Sequence, residues 1–332
     1  MSRKDPPKGN NTTAPQLAPP AAPLSARPAP SEMDGVRDTH LEWLHRHGLL
    51  ETTESTRRYR QSQVADLAAY CDPESKDLLL SYNVIGWIFL HDDWMDTSAD
   101  RMADHAVTAE LITILHRPLL PTYPLASAFA DIWGTLQTGM SEAWRQRMAW
   151  LWQQYFYGNL AEAVDRRERR KLTSSEHIRV KEASVAIAVM YAVAERTGGF
   201  EIPAELWHAT FLNTLRHHVT RYIIFMNDIE SFKQDEAAER TNLISLTMAE
   251  MGLSSRQSLQ HISAQASEHL QNFYTLEAGI DQFCRALHLP ANVRHSVGAH
   301  IAGLHNWVHG SSDWYRITSR YSLEDTSADS LT

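Results

Sequence analysis

From about Asp38 to about Tyr321, apolar residues recur at i, i+3, i+4 and i+7, and almost nothing in that span reads as strand. Val64, Leu67 and Ala68 share one such face; Leu78, Leu79, Val84, Trp87 and Ile88 belong to another; Tyr222, Phe225 and Ile229 make a third. After Asp34-Gly35 there is no Asn-Gly or Asp-Gly turn and no sustained alternation of apolar and polar residues. The breakers Pro73, Pro118, Pro121 with Pro124, Gly198 with Gly199, Pro203, Gly252 and Pro290 divide the span into roughly ten helices. The longest are predicted over 124–164, 203–232, 256–287 and 290–316. No internal repeat is visible, which disfavours a solenoid. The expected fold class is all-α, a single large helical bundle.

The chain has 332 residues, of which 43% are hydrophobic and 21% charged, enough for a sizeable core. The formal net charge is −9, without a basic cluster, so nucleic acid is not an expected partner. Cys71 and Cys284 form no CxxC pair and no disulfide framework, which fits a reducing, cytoplasmic setting. The longest apolar run, Val185 to Ala194, is too short for a membrane span and reads as a buried helix. No apolar stretch follows Arg3 and Lys4 as a signal peptide requires. Eight prolines between Pro6 and Pro30 preclude helix or inner strand there. Residues 1–35 are therefore expected to be a disordered, Pro-rich tail, 36–322 a single folded domain, and 323–332 a C-terminal tail.

Three polar constellations interrupt the apolar pattern. The first, His91-Asp92-Asp93-Trp94-Met95-Asp96, ends the apolar stretch Val84 to Leu90. Asp92 and Asp96 stand one helical turn apart, where like charges repel and call for a cation. Mg²⁺ takes oxygen ligands and commonly shares them with a substrate phosphate. The second constellation follows Tyr222 to Met226: Asn227, Ser231 and Asp235 fall at i, i+4 and i+8. An amide, a hydroxyl and a carboxylate on one helical stripe suit a second Mg²⁺ site. The third lies near the C-terminus, where Arg320 offers a planar fork of donors for phosphate and Tyr321 adds a hydroxyl.

The order of these features, with Asn227 lying 135 residues after Asp92 and a terminal Arg-Tyr beyond both, resembles the class I terpene synthases of the bacterial type. Asp92, Asp93 and Asp96 match the family's aspartate-rich motif. Asn227, Ser231 and Asp235 match its second metal motif, and Trp314, Thr318, Arg320 and Tyr321 its C-terminal signature. Trp43 with Gly48 and Leu49 looks like its N-terminal helix. The resemblance covers about residues 38–322. It implies a helical domain around a deep apolar cavity, three Mg²⁺ ions gripping a prenyl diphosphate, and cyclisation of the carbocation left after ionisation. Asp92 would contact two ions and the Asn-Ser-Asp set the third. Arg320 and Tyr321 would bind the diphosphate in the closed state, and Phe89 and Trp314 would face the cation.

Two positions depart from the family pattern. An Arg that senses diphosphate is matched by Lys181, 46 residues before Asn227, and the Gly of the hinge that follows it by Val185. The basic residue before the last metal ligand is Gln234, with Lys233 beside it as the candidate substrate contact. Farnesyl diphosphate is the expected substrate, with geranylgeranyl and geranyl diphosphate as alternatives. An isoprenyl diphosphate synthase ranks lower, because only one aspartate-rich motif is present. A helical protein that binds prenyl diphosphates without turnover is the non-enzymatic alternative, and a homodimer is left open.

Overall fold

The computed structural model describes residues 30–321, with side chains from Met33 onward. Expectations for residues 1–29 and 322–332 lie outside the described residues. Every regular element among those described is a helix. The first seven are α1 (Pro30–Arg46), α2 (Thr53–Ser62), α3 (Leu67–Cys71), α4 (Leu78–Thr97), α5 (Arg101–His116), α6 (Pro124–Leu136) and α7 (Glu142–Arg167). Then come α8 (Ser174–Ser184), α9 (Ile187–Gly198), α10 (Ala204–Trp207), α11 (Thr210–Ala237), α12 (Leu243–Met251), α13 (Ser255–Glu277), α14 (Ile280–Ala286) and α15 (Ala291–Tyr315).

Three of the four long predicted helices are shorter than their apolar pattern. The stretch 124–164 divides into α6 and α7 around Gly139, whose φ of +80° only glycine adopts without strain. The stretch 203–232 becomes the single turn α10 and, after Ala209, α11, which runs on to Ala237. The stretch 256–287 breaks at Ala278 and Gly279 into α13 and α14. Only α15 keeps its predicted extent within a residue. At the other end, α1 begins at Pro30, inside the segment assigned to the tail; proline fits there because a first-turn N–H has no intrahelical partner.

Helix α4 is the axis of the bundle. Its N-terminus is capped by Asp77, whose carboxylate accepts from the Leu80 N–H at 3.2 Å. Apolar side chains occur all round it, so it must be enclosed, and α1, α3, α6, α7 and α9 all pack on it. Behind it stands an aromatic cluster. The Trp87 ring stacks on His91 at 5.0 Å and lies against Phe129 at 5.0 Å and Trp152 at 5.7 Å; Tyr155 and Phe156 complete the group. Such ring pairs contribute ~0.5–1.5 kcal/mol each beyond area burial. The opposite side of the bundle is formed by α11, which packs on α8, α12, α13 and α15. There Trp207 lies between the guanidinium groups of Arg147 at 4.1 Å and Arg216 at 4.0 Å, and Arg147 also pairs with buried Glu195.

Helix α15 closes the bundle against α3 and can do so only because residue 310 has no side chain. A Cβ on Gly310 would stand 2.1 Å from the Tyr70 carbonyl oxygen and 3.0 Å from the Cys71 Cα. These are backbone atoms and cannot swing away. We expect Gly310→Ala to lose at least ~1–3 kcal/mol of stability, the usual cost of overpacking. Gly303→Ala in the same helix meets nothing within 4 Å and should be neutral or gain up to ~1 kcal/mol. Urea denaturation midpoints of the two variants make the comparison.

Candidate active site

A cavity of about 240 Å³ opens between α4, α7, α8, α9, α11 and α15. Its wall changes character along two helices at once. On α4, Ile85, Ile88 and Phe89 are followed by Asp92, Asp93 and Asp96. On α11, Ile223 is followed at four-residue steps by Asn227, Ser231 and Asp235. A step of four residues returns to nearly the same helix face, so each helix presents an apolar and then a polar stretch to one space.

Asp96 of the first stretch and Asp235 of the second lie in the last turns of their helices, where the partial charge is already negative and no basic residue stands. Cations arrive from elsewhere. Arg320 donates to Asp93 at 2.8 and 3.2 Å and to Asp92 at 3.5 Å. Arg166 of α7 donates to Asp96 at 2.7 Å and to the Met95 carbonyl at 2.5 Å. Arg240, just past α11, approaches Asp96 at 3.2 Å and Asp235 at 4.0 Å. Desolvation and the neighbouring Asp96 push the Asp92 carboxyl above its usual range, while Arg320 and Lys181 pull it the other way. Burial opposes the charge of Arg320, but Asp93 more than offsets this and holds its pKa above the usual value.

The second polar set is tied together by its own hydrogen bonds. Ser231 donates to Asp235 at 2.6 Å, and the Asn242 amide donates to the same Asp235 oxygen at 2.8 Å and to the Asp228 carbonyl at 2.8 Å. Asn227 donates to the hydroxyls of Tyr321 at 3.1 Å and Tyr315 at 3.4 Å. Asp228 points the other way, into the protein. It meets buried His177 at 2.7 Å and accepts from the Leu243 N–H at 2.8 Å. Burial would raise the Asp228 carboxyl, but the hydrogen bond and charge of His177 hold it below its usual range.

Lys181 reaches the cavity from the last turn of α8, with Glu162 at 3.8 Å. Burial works against its charge, yet Glu162, Asp228, Asp92 and Asp235 together hold the ammonium above its usual pKa. The helix that carries Lys181 does not run on into the apolar stretch. It stops at Ser184, Ala186 takes a left-handed φ of +57°, and α9 starts at Ile187. The conformation reserved for a hinge residue thus falls on Ala186, next to Val185. A non-glycine residue there costs on the order of 1–2 kcal/mol.

The C-terminal segment is anchored to the turn after α2. The Trp314 indole N–H donates to the Gln63 carbonyl at 2.8 Å, Thr318 to Ser62 at 2.6 Å and Ser319 to Gln61 at 3.1 Å. Phe89 and Trp314 lie 5.7 Å apart on the cavity wall, and the Arg320 guanidinium sits 4.6 Å over the Phe89 ring.

The family described as terpene synthase family 2, C-terminal metal binding, matches residues 83–272. Among curated proteins, R-linalool synthase of Streptomyces clavuligerus is 32% identical, with 93% of this chain and 94% of that protein covered. The (-)-beta-caryophyllene synthase of Saccharothrix espanaensis, named for cyclising (2E,6E)-farnesyl diphosphate, is 29% identical over 90% of this chain and 88% of its own. The chain belongs to the class I terpene synthases of the bacterial type. A crystal structure of the Streptomyces clavuligerus linalool/nerolidol synthase with 2-fluorogeranyl diphosphate superposes with a TM-score of 0.80 at 30% identity, covering 86% of this chain and 98% of that one.

Of the residues singled out from the sequence of this terpene synthase, Phe89, Asp92, Asp93, Asp96, Lys181, Asn227, Ser231, Asp235, Trp314, Arg320 and Tyr321 all line the one cavity. Lys233 does not: it is exposed on the far side of α11, and Gln234 takes the place on the wall. Arg166, Arg240, Glu162, His177 and Tyr155 line the cavity as well and carried no motif that would have singled them out. No helix among the described residues is long and apolar enough to cross a membrane.

The Asp228–His177 pair couples α8 to α11 behind the polar wall. Asp228→Ala would leave His177 buried without its partner and should cost ~3–5 kcal/mol. Asp93→Ala removes a half-exposed carboxylate and should cost less than ~1 kcal/mol. Thermal melts of the two variants test the difference.

Proposed function

We propose that this terpene synthase ionises farnesyl diphosphate and cyclises the resulting carbocation to a terpene hydrocarbon or alcohol. The observation that carries the reading is the wall of a single cavity, apolar on one stretch of α4 and α11 and acidic on the next, with Lys181 and Arg320 beside the acidic stretch. A molecule with a greasy chain and a doubly phosphorylated head matches that division. The volume of about 240 Å³ lies just below the usual ~300–1,000 Å³ range for small-molecule sites, which argues for farnesyl or geranyl chains over geranylgeranyl. The geranyl alternative is supported by the relative crystallised with 2-fluorogeranyl diphosphate.

Divalent metal binding belongs to this family, and the residues present fit it. Carboxylate, amide and hydroxyl oxygens are the ligands a hard cation takes. No group of three or more His, Cys, Asp or Glu among the described residues is drawn tightly enough to cage an ion alone. Mg²⁺ commonly completes its coordination with phosphate and water, so such a cage is not required. Asp92, Asp93 and Asp96 would hold ions on one side and Asn227, Ser231 and Asp235 on the other, three ions in all. When bound, Mg²⁺ neutralises the diphosphate and makes it a better leaving group.

The chain's own groups account for the remainder. Lys181 and Arg320 supply positive charge at two sides of the polar end, where negative charge grows as the C–O bond breaks. Tyr321 sits beside Arg320 with its hydroxyl turned to Asn227. The anchored segment 314–321 covers part of this end of the cavity, and exclusion of water is what a carbocation requires. The faces of Phe89 and Trp314 lie on the apolar wall, where a ring quadrupole stabilises a passing cation.

Incubation with farnesyl, geranyl or geranylgeranyl diphosphate and Mg²⁺, followed by gas chromatography of the headspace and extract, tests the assignment. A terpene should form from farnesyl diphosphate and disappear in EDTA, and Asp92→Asn should lower kcat by at least ~100-fold. Wild-type turnover by Asp92→Asn or in excess chelator would refute the metal reading. Release of diphosphate without any terpene would refute the cyclase.

Lys181 should behave as the diphosphate contact of α8. Lys181→Ala is expected to lower kcat on the order of 100-fold, while Lys181→Arg keeps or raises it, because a planar fork orients a phosphate better than a point charge. Single-turnover rates of both variants measure this, and an unimpaired Lys181→Ala would remove the residue from the mechanism.

A further inference from the structure

Four cationic side chains line the cavity: Arg166, Lys181, Arg240 and Arg320. They differ in how fully their donors are used. Arg166 spends its two terminal nitrogens on Asp96 and the Met95 carbonyl, at 2.7 and 2.5 Å. That geometry is a fixed clamp on the end of α4. Arg240 is different. It approaches Asp96 at 3.2 Å and Asp235 at 4.0 Å, both longer than the contacts of Arg166.

The backbone holds Arg240 where both acidic motifs can be reached. Glu239 takes a left-handed φ of +53°, and the Arg240 N–H donates to the Asp235 carbonyl at 2.8 Å. The chain thus folds back over the C-terminal end of α11 and sends the guanidinium between Asp235 and Asp96. The side chain remains about one-third exposed, so it has room to move. Among the described residues Arg240 is the cation paired with Asp235, since Arg166 pairs only with Asp96, Lys233 faces solvent and position 234 is Gln.

We propose that Arg240 is a diphosphate-binding residue. Asp96 and Asp235 hold it beside the acidic wall in the empty site. With the anion and its metal ions bound, those carboxylates would serve the metals, and the guanidinium is left to turn to the phosphate oxygens. The exchange conserves charge pairing throughout, and a five-donor fork replaces two long contacts with short, charge-assisted bonds. The inference rests on the reading of the cavity as a prenyl diphosphate site.

Isothermal titration with inorganic pyrophosphate at saturating Mg²⁺ tests it without turnover. Arg240→Ala should raise the Kd about 10-fold or more, the range of a lost charged hydrogen bond, with Arg240→Lys between it and wild type. Lys171→Ala removes the same charge from an exposed position beside cavity-lining Leu172 and should stay within about twofold. Thermal melts of the ligand-free variants check that the fold is intact. If Arg240 only neutralises Asp96 and Asp235, its removal frees ligands for Mg²⁺, and pyrophosphate binds as well as to wild type or better. That result overturns the proposal, as does an equal loss in Lys171→Ala. If wild type binds no pyrophosphate at all, the reading of the whole cavity falls, and Arg240 with it.

Discussion

Two helices end side by side in carboxylates, and that is an arrangement helices resist. The C-terminal ends of α4 and α11 already carry negative partial charge, and each adds acidic side chains there. Left alone, these ends would repel each other and fray. The surrounding architecture supplies what they lack. Lys181 comes from α8, Arg166 from α7, Arg240 from the turn after α11 and Arg320 from the segment after α15. The bundle can be described as a frame that brings four cations to two anionic ends, and the same charge pattern is what a cation-bearing diphosphate would satisfy.

Most of this was legible from particular residues. The apolar run before Asp92 ends close to the end of α4, whereas the run before Asn227, read as ending a buried helix, is followed by the rest of α11 as far as Ala237. The Arg-Tyr pair was weak by itself and gained meaning from its order after the two acidic sets. Other parts left no local trace. Lys233 stands six residues after Asn227, a rotation of roughly 240° from its face, so helix phase alone turns it from the cavity. Arg166 and Arg240 reach the site through tertiary packing, and nothing beside them in the chain marks them. The break at Ala186 was hidden because alanine gives no sign of a left-handed conformation, and the apolar pattern runs through it unbroken. The split at Gly139 had a glycine to announce it, yet the apolar period on both sides outweighed that signal.

The C-terminal segment connects two scales of the structure. Gly310 lets α15 touch the backbone of α3, and Trp314, Thr318 and Ser319 then fasten the following turn to the carbonyls of 61–63. Arg320 is delivered to Asp92 and Asp93 by this chain of contacts. Its position is therefore set by the packing of the N-terminal helices as much as by the acidic residues it meets. A change in the turn after α2, distant in sequence from every motif, acts on the same guanidinium.

The two sides of the cavity differ in the regularity of the backbone that carries them. Behind α4, the rings of Trp87, His91, Phe129, Trp152, Tyr155 and Phe156 interlock, and no single one can change size without displacing the rest. Across from them, Val185, Ala186, Ile187 and Met190 line the cavity at a helix break, where the backbone is already irregular. The bulk of the side chains from 185 to 190 thus sets how much apolar space is left open, with the aromatic wall behind α4 as the mould's other half.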